Sequence, residues 1–272
     1  MPRISVILST YNRPDALEMV LRSLAAQTYK DFEVVVADDG STEDTRHKVD
    51  NFKSQTTLNL KQVWQEDDGF RAAAIRNKAV AASQGDYLVF LDGDCIAFPD
   101  FIAQHARLMK ADKFTTGNRV LLSPAFTEKI LKRQQLLHQW TPSQWFVAWL
   151  RRNINRMLPF VRLPLGVLRN LTPRKWQGVK TCNLGVWRKD FFEINGFDEN
   201  YHGWGYEDSD LVIRLINKGV FRLEGRFAIP VLHLWHTLNQ SSLSEKNLQR
   251  LKNMMNSQVI KADQGIDRYL RQ

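Results

Sequence analysis

Two aspartates, Asp92 and Asp94, close the apolar run Tyr87-Leu88-Val89-Phe90-Leu91, with Gly93 between them. Five consecutive apolar residues rich in strand formers predict a buried strand, and in an open α/β sheet ligands collect beyond the carboxyl ends of strands. Gly93 lets the backbone turn so that both carboxylates face one point. Divalent cations such as Mg²⁺ or Mn²⁺ take oxygen ligands of this kind and share them with substrate phosphates. An ordinary polar turn is the competing account of an isolated Asp-x-Asp. An EF-hand loop is disfavoured, because Ile96 and Phe98 fall where further oxygen ligands are required.

Further polar groups stand at other strand ends. Asp38-Asp39-Gly40-Ser41 follows the apolar stretch 32–36, where a carboxylate suits a nucleobase edge and a plain turn is the alternative. Arg71 and Arg76 flank the start of a small-residue helix at 72–83; a guanidinium matches diphosphate oxygens, the alternative being two solvated surface arginines. His233 and His236 follow a strand at 227–232. They can add nitrogen to an oxygen-rich metal site, a mixture that suits Mn²⁺ better than Mg²⁺, or they are structural. Gly203-Trp204-Gly205-Tyr206 reads as a loop able to lay a large ring over a ligand. Glu207, Asp208 and Asp210 open the helix behind it. Acids in a first turn stabilise the helix dipole, but three exceed that need, which leaves at least one for chemistry.

The elements that must position these residues alternate in type. A strand at 4–8, a turn at 9–14 capped by Asn12, and a helix carrying Leu17, Val20, Leu21 and Leu24 on one face begin a βαβ unit. Strands at 32–36, 58–64, 87–91 and 114–122, with helices at 72–83 and 98–109, continue the alternation and predict a mainly parallel, doubly wound sheet. His105 falls on the packing face of its helix and reads as a core histidine. The stretch 241–272 reads as a polar helical tail without chemistry.

Among the 272 residues, 38 are Lys or Arg and 29 are Asp or Glu, a net charge of +9. No acid lies between Glu128 and Asp190, while thirteen Lys and Arg lie between Lys129 and Lys189, so this stretch outweighs the whole net charge. An anionic partner is implied. Helices predicted at 128–140 and 143–157 interleave Leu, Trp and Phe with Lys and Arg, as membrane-surface helices do; a packed helical subdomain with a solvated basic rim is the alternative. Nucleic acid is disfavoured, since no recognised binding module accompanies the charge. Cys95 and Cys182 are too few for a disulfide framework, no basic-then-apolar leader opens the sequence, and no apolar run approaches a membrane span. The expected location is cytoplasmic, at the cytoplasmic face of the inner membrane, with peripheral contact through 129–175.

In chain order, Ser-Thr-Tyr-Asn-Arg (9–13), Asp-Asp-Gly-Ser (38–41), Gly-Phe-Arg with Arg-Asn (69–71, 76–77) and Phe-Leu-Asp-Gly-Asp (90–94) resemble the nucleotide-sugar half of family 2 glycosyltransferases. Ile-Asn-Gly-Phe-Asp (194–198) and Gly-Trp-Gly-Tyr-Glu-Asp (203–208) are similar to the acceptor half of β-1,4-galactosyltransferases and bacterial chondroitin polymerase. The resemblance covers 3–122 and 178–237 and implies a GT-A fold of α/β class. Its implied layout is a nucleotide-sugar half at 1–126, a basic Trp-rich helical insertion at 127–175, an acceptor and catalytic half at 176–240, and the tail at 241–272.

Carried over, the resemblance puts Thr10, Tyr11, Arg13, Asp39, Gly69, Arg71, Arg76 and Asp92 on the UDP-sugar side, with Asp92 near the ribose. Asp94 becomes the main metal ligand and His236 the distal one, with Asp92 and His233 as further candidates for Mn²⁺ or Mg²⁺. Asp208 becomes the catalytic base, Glu207 positions the acceptor, and Gly203, Trp204 and Tyr206 form the closing loop. The implied reaction is inverting, metal-dependent transfer of a hexose from a UDP-sugar to a glycan or glycolipid hydroxyl, with a lipid-linked bacterial surface polysaccharide or lipopolysaccharide core as preferred acceptor. A non-catalytic nucleotide-sugar or glycolipid-binding protein and a retaining transferase are the alternatives. The sequence departs from the pattern at Tyr206, where the galactosyltransferases have glycine, and across 129–174.

Overall fold

A computed structural model of the chain describes residues 2–237 and 244–270. Strands β1 (Ile4–Thr10), β2 (Phe32–Asp38), β3 (Asn59–Trp64) and β4 (Tyr87–Asp92) alternate with helices α1 (Pro14–Ala25), α2 (Glu43–Ser54) and α3 (Ala72–Ala82). After them come β5 (Cys95–Ala97), α4 (Phe101–Leu108), β6 (Lys113–Thr116), β7 (Asn118–Leu121), α5 (Pro124–Arg133) and α6 (Pro142–Leu150). The chain continues through β8 (Asn183–Trp187), α7 (Arg188–Glu193), α8 (Glu207–Lys218), β9 (Phe221–Glu224), β10 (Pro230–His233) and α9 (Ser244–Met255). Of the expected tail, 241–243 and 271–272 lie outside the described residues, as do 238–240 of the expected acceptor half.

The main sheet has the order β3-β2-β1-β4-β8-β6-β9, and β8 alone runs against its neighbours. This is the expected mainly parallel α/β sheet. Side chains alternate across a strand, and here both faces are covered, which is why the strands read as unbroken apolar runs. Ile4, Val6 and Leu8 of β1 pack with α1 on one face, while Ile7 packs with α3 on the other. Tyr87, Val89 and Leu91 of β4 share the first face, and Leu88 and Phe90 the second.

From β1 the chain moves outward to β2 and β3, then returns to place β4 on β1's other side. The carboxyl ends of β1 and β4 therefore form a topological switch point, the crevice where doubly wound sheets bind ligands. Register sets Ser9 opposite Asp92 there. Asn12 does not cap α1; at φ 48° it accepts the Thr42 N–H at 2.9 Å, tying together the loops after β1 and β2.

The expected strand at 114–122 is two strands in different sheets. At Gly117 a Cβ would lie 2.1 Å from Asn183 Nδ2 and 2.4 Å from the Ile229 carbonyl, so the residue passes through a gap that admits no side chain. Beyond it β7 joins a small sheet of order β5-β10-β7. This sheet pairs His233 with Cys95 and brings the Leu234 N–H to the Asp94 carbonyl at 2.9 Å.

The basic stretch is less helical than expected. α5 starts early, at Pro124, because Ser123 caps the Phe126 N–H, and it stops at left-handed Gln134. α6 ends at Leu150. Much of its amphipathic apolar side is core: Phe126, Ile130, Leu137, Trp145, Ala148 and Ile154 are buried in the cluster that contains β1 and α1. The Trp145 ring lies 5.0 Å from Trp140 and 4.8 Å from Phe160. His105 is a core histidine as expected, bonded through Nε2 to Asn183 at 3.2 Å, and burial lowers its pKa to about 4.

Candidate active site

The crevice is built from the ends of β1, β2 and β4. At the β2 end, Asp38 and Asp39 face different ways, as alternation requires. Asp38 is structural, accepting from Ser41 N and Gln62 Nε2 at 2.9 Å each. Asp39 accepts from Gln65 Nε2 at 2.5 Å and the Arg71 backbone N–H at 2.8 Å, while burial pushes its pKa up. Thr10 keeps a buried hydroxyl with no partner among the described residues. Tyr11 is exposed and donates to Asp67 at 2.9 Å. Arg13 starts α1 and pairs with Asp15 at 3.3 Å. Gly69 turns the loop whose Arg71 guanidinium donates to the Glu66 carbonyl at 2.6 Å.

Arg76 requires a correction. It was expected to face diphosphate oxygens, but it is buried and bridges two carboxylates, Asp92 Oδ1 and Glu207 Oε1, at 3.1 Å each. Its neighbour Asn77 donates to the Phe197 carbonyl and Glu199 and accepts from the Phe197 N–H, all at 2.9 Å. The Arg-Asn pair on α3 thus joins the two halves of the chain.

Asp92 Oδ1 also accepts from Ser9 Oγ at 2.9 Å, leaving Oδ2 without a hydrogen bond among the described residues. Asp94 turns the other way. Its Oδ2 lies 3.3 Å from His236 Nε2 and 3.7 Å from His233 Nε2, and its Oδ1 accepts from the Cys95 thiol at 3.4 Å. Ligand-type atoms of Asp94, Cys95 and His233 all lie within 4.8 Å of one another. One carboxylate converging with two imidazoles fits a borderline divalent cation such as Mn²⁺. Burial lowers the His233 pKa against the pull of Asp94, so a neutral imidazole is favoured, the form that ligates.

Glu207 and Asp208 stand at the amino end of α8. Arg214 holds Asp210 at 2.7 Å with both side chains fully buried, and Tyr201 donates to it at 3.3 Å, so Asp210 is structural. Asp208 is buried but reachable: its Oδ2 lies 3.3 Å from Nζ of Lys180, a half-exposed lysine. Burial raises the Glu207 pKa, and the neighbouring Asp208 charge adds to the rise while Arg76 opposes it.

The loop before α8 is held on both sides. The Gly203 N–H donates to the Phe70 carbonyl at 3.0 Å, and Asn247 of α9 donates to the carbonyls of His202 and Gly205 at 2.9 and 3.2 Å. Trp204 is left half exposed. Tyr206 adopts φ 73°, a left-handed conformation that costs a non-glycine residue roughly 1–2 kcal/mol, which gives a physical reason for glycine at the matching place in galactosyltransferases. Sequence patterns carried no signal for Lys180 or Asn247, since both reach the site through tertiary contacts. Ser9 was findable, because its register to Asp92 follows from pairing β1 with β4.

Comparison with known proteins agrees with this architecture. The family model described as Glycosyl transferase family 2 matches residues 5–160, which includes much of the basic stretch, and one described as N-terminal domain of galactosyltransferase matches 170–231. Validoxylamine A glucosyltransferase of Streptomyces hygroscopicus subsp. jinggangensis is 33% identical over 235 residues, covering 81% of this chain and 53% of that protein. Chondroitin synthase of Escherichia coli is 30% identical over 243 residues, covering 83% of this chain and 34% of the synthase. The chain therefore spans about half or less of these relatives' length. A solved structure of GalNAc-T7 with UDP, GalNAc and Mn²⁺ superposes with a TM-score of 0.68 at 17% identity, covering 93% of this chain and 48% of that one. The shared fold is GT-A.

Proposed function

The chain belongs to glycosyl transferase family 2, and from that premise we propose that it transfers a hexose from a UDP-sugar to a glycan hydroxyl with inversion. One observation carries the reading: Arg76 couples Asp92, at the β4 end of the crevice, to Glu207, the neighbour of Asp208. A base on the acceptor side and a nucleotide-binding strand end are thereby held in one frame. A protein that only bound nucleotide sugars would have no use for the base.

In this reading Asp39 and the buried Thr10 hydroxyl meet the uridine, with Tyr11, Arg13, Gly69 and Arg71 lining the nucleotide and Asp92 near the ribose. Asp94, His236 and His233 would hold the divalent cation, which supplies positive charge to the departing diphosphate. Asp208 takes the proton of the acceptor hydroxyl, displacing Lys180; half-exposed ion pairs are weak enough to give way. The acceptor oxygen bonds to the anomeric carbon as that carbon's bond to the diphosphate breaks, and UDP leaves with the electron pair. Glu207 positions the acceptor, and Trp204 covers the sugar.

The decisive experiment is UDP release from a panel of UDP-sugars, with Mn²⁺ and with chelator, by the wild type and Asp94→Ala. Metal-dependent consumption of one donor is expected, falling by roughly 10²-fold or more in the variant, as loss of several kcal/mol of charge stabilisation requires. If no donor is consumed even with membrane glycolipid extract present, the transferase reading fails and a binding protein takes its place.

The same reading includes a lipid-linked bacterial surface glycan as acceptor and peripheral contact with the cytoplasmic face of the inner membrane. Among the described residues no helix is long and apolar enough to cross a membrane. Phe146, Trp149, Leu150, Leu158, Val167, Leu168 and Leu171 are nevertheless exposed within the basic stretch, a combination that suits an anionic lipid surface. The protein should co-sediment with vesicles containing anionic phospholipid, and Trp149→Ser with Leu150→Ser should weaken this. Equal recovery with neutral vesicles would remove the electrostatic part of the idea.

A further inference from the structure

A cavity of about 550 Å³ adjoins the site, and Arg119, Arg156, Lys175, Lys180, Arg222 and Arg226 all line it. Among the described residues two carboxylates answer these six cations. Glu224 lies 2.8 Å from Arg222 and 3.7 Å from Arg226, and Asp208 lies 3.3 Å from Lys180. Among the described residues Arg119, Arg156 and Lys175 have no carboxylate within 4.0 Å, the limit for an ion pair. The guanidinium of Arg222 is fixed by the carbonyls of Lys175 and Gln177 at 3.1 and 3.2 Å, and its Nε is buried with no partner among the described residues.

The cavity touches both ends of the active site. Lys180 reaches Asp208, and Arg119 lies on β7, the strand paired with β10, two residues from the position opposite His233. Cys182, also in the wall, is buried in the same core cluster as Cys95, the residue after Asp94. The wall also includes Leu158, one of the exposed apolar residues.

A neutral oligosaccharide has no use for so many cations, and among the described residues Phe227 is the one aromatic side chain lining the cavity on which a sugar could stack. In the transferase reading the donor's diphosphate is served at the β1 and β4 ends. We propose that this cavity binds a phosphoryl group carried by the acceptor, beside the hydroxyl presented to Asp208, an inference that rests on the transferase reading above. Guanidinium groups match phosphate oxygens in pairs, and a concave cluster of like charges focuses its field on an anionic ligand. Two sources share this chemistry: a phosphorylated sugar of the glycan, and a diphosphate joining the glycan to a lipid.

The test is calorimetric titration of UDP-saturated protein, in Mg²⁺, with glucose 6-phosphate, geranyl diphosphate and glucose. Wild type should bind the phosphorylated probes and not glucose. Arg119→Ala with Lys175→Ala should weaken phosphate binding by roughly tenfold or more, the loss of one or two charge-assisted hydrogen bonds, while UDP affinity holds. The charge-preserving Arg119→Lys with Lys175→Arg should keep most of it. Tighter geranyl diphosphate binding assigns the lipid linkage, and tighter glucose 6-phosphate binding a phosphorylated sugar. Unchanged phosphate binding in the alanine variant, equal binding of glucose, or phosphate binding seen only when UDP is left out overturns the site. Phosphate binding here without consumption of any donor would leave the cavity's role intact and remove the transferase; donor hydrolysis with no phosphate binding would do the reverse.

Discussion

Asp208→Asn should retain UDP-sugar binding and lose turnover by roughly 10²–10⁴-fold, the contribution of a positioned general base. The amide is nearly isosteric but cannot take a proton, and the neighbouring contacts of Asp208 are modest: Lys180 at 3.3 Å and the Ser209 hydroxyl at 3.4 Å. Folding should therefore survive, so that a fall in kcat reports chemistry. Asp210→Asn is the contrasting control, because it breaks the fully buried pair with Arg214 and should lower the melting temperature instead. The anomeric configuration of the product, read by NMR, completes the test. A β-linked product from an α-linked donor fits inversion by Asp208, whereas an α-linked product or near-normal turnover in Asp208→Asn removes the residue from its role.

Arg76→Ala should be among the most damaging single changes in the chain. It leaves Asp92 and Glu207 without their shared cation, and breaking a buried pair in this way costs about 3–5 kcal/mol. The lower end is expected, since 31% of the Asp92 side chain is exposed and water screens it there. The loss carries a pH signature. Burial and Asp208 already raise the Glu207 pKa above its ordinary value, and removing Arg76 raises it further. A carboxyl raised in the folded state binds a proton that the unfolded chain does not, so its stability contribution is present at low pH and lost as pH rises through the folded pKa. Urea melts should accordingly show the deficit of Arg76→Ala widest near neutral pH and narrowing under acid conditions. Arg76→Lys should recover part of the stability but not the activity, because one ammonium lacks the fork that spans both carboxylates. Wild-type melting of Arg76→Ala would refute the bridging role.

Much of the candidate site was legible because it sits where local rules are strong. Thr10 ends β1, Asp92 ends β4, Asp39 and Asp94 come just after strands, and the acids at 207–210 open an amphipathic helix; position along the chain already fixes which end of the sheet they occupy. The βα alternation fixed the fold class for the same reason, since a strand buried on both faces has a pattern few other structures share.

The remainder depended on who stands beside whom. Arg76 looked like a phosphate ligand because its sequence neighbours are polar, yet its partners lie 16 and 131 positions away. Among the three acids of α8, rotation about the helix axis turns Asp210 toward Tyr201 and Arg214, while Asp208 faces Lys180. The split of 114–122 at Gly117 came from Asn183 and Ile229, and the burial of Trp145 from Phe98 and Phe160. Hydropathy records that a tryptophan avoids water, but whether lipid or its own core provides the shelter is decided when distant segments pack. Sequence by itself thus determined the sheet, its carboxyl edge and the chemical types gathered there. Tertiary structure alone decided which charges neutralise one another and which remain available to a substrate, because ion pairing is set by distance in space and not by separation along the chain.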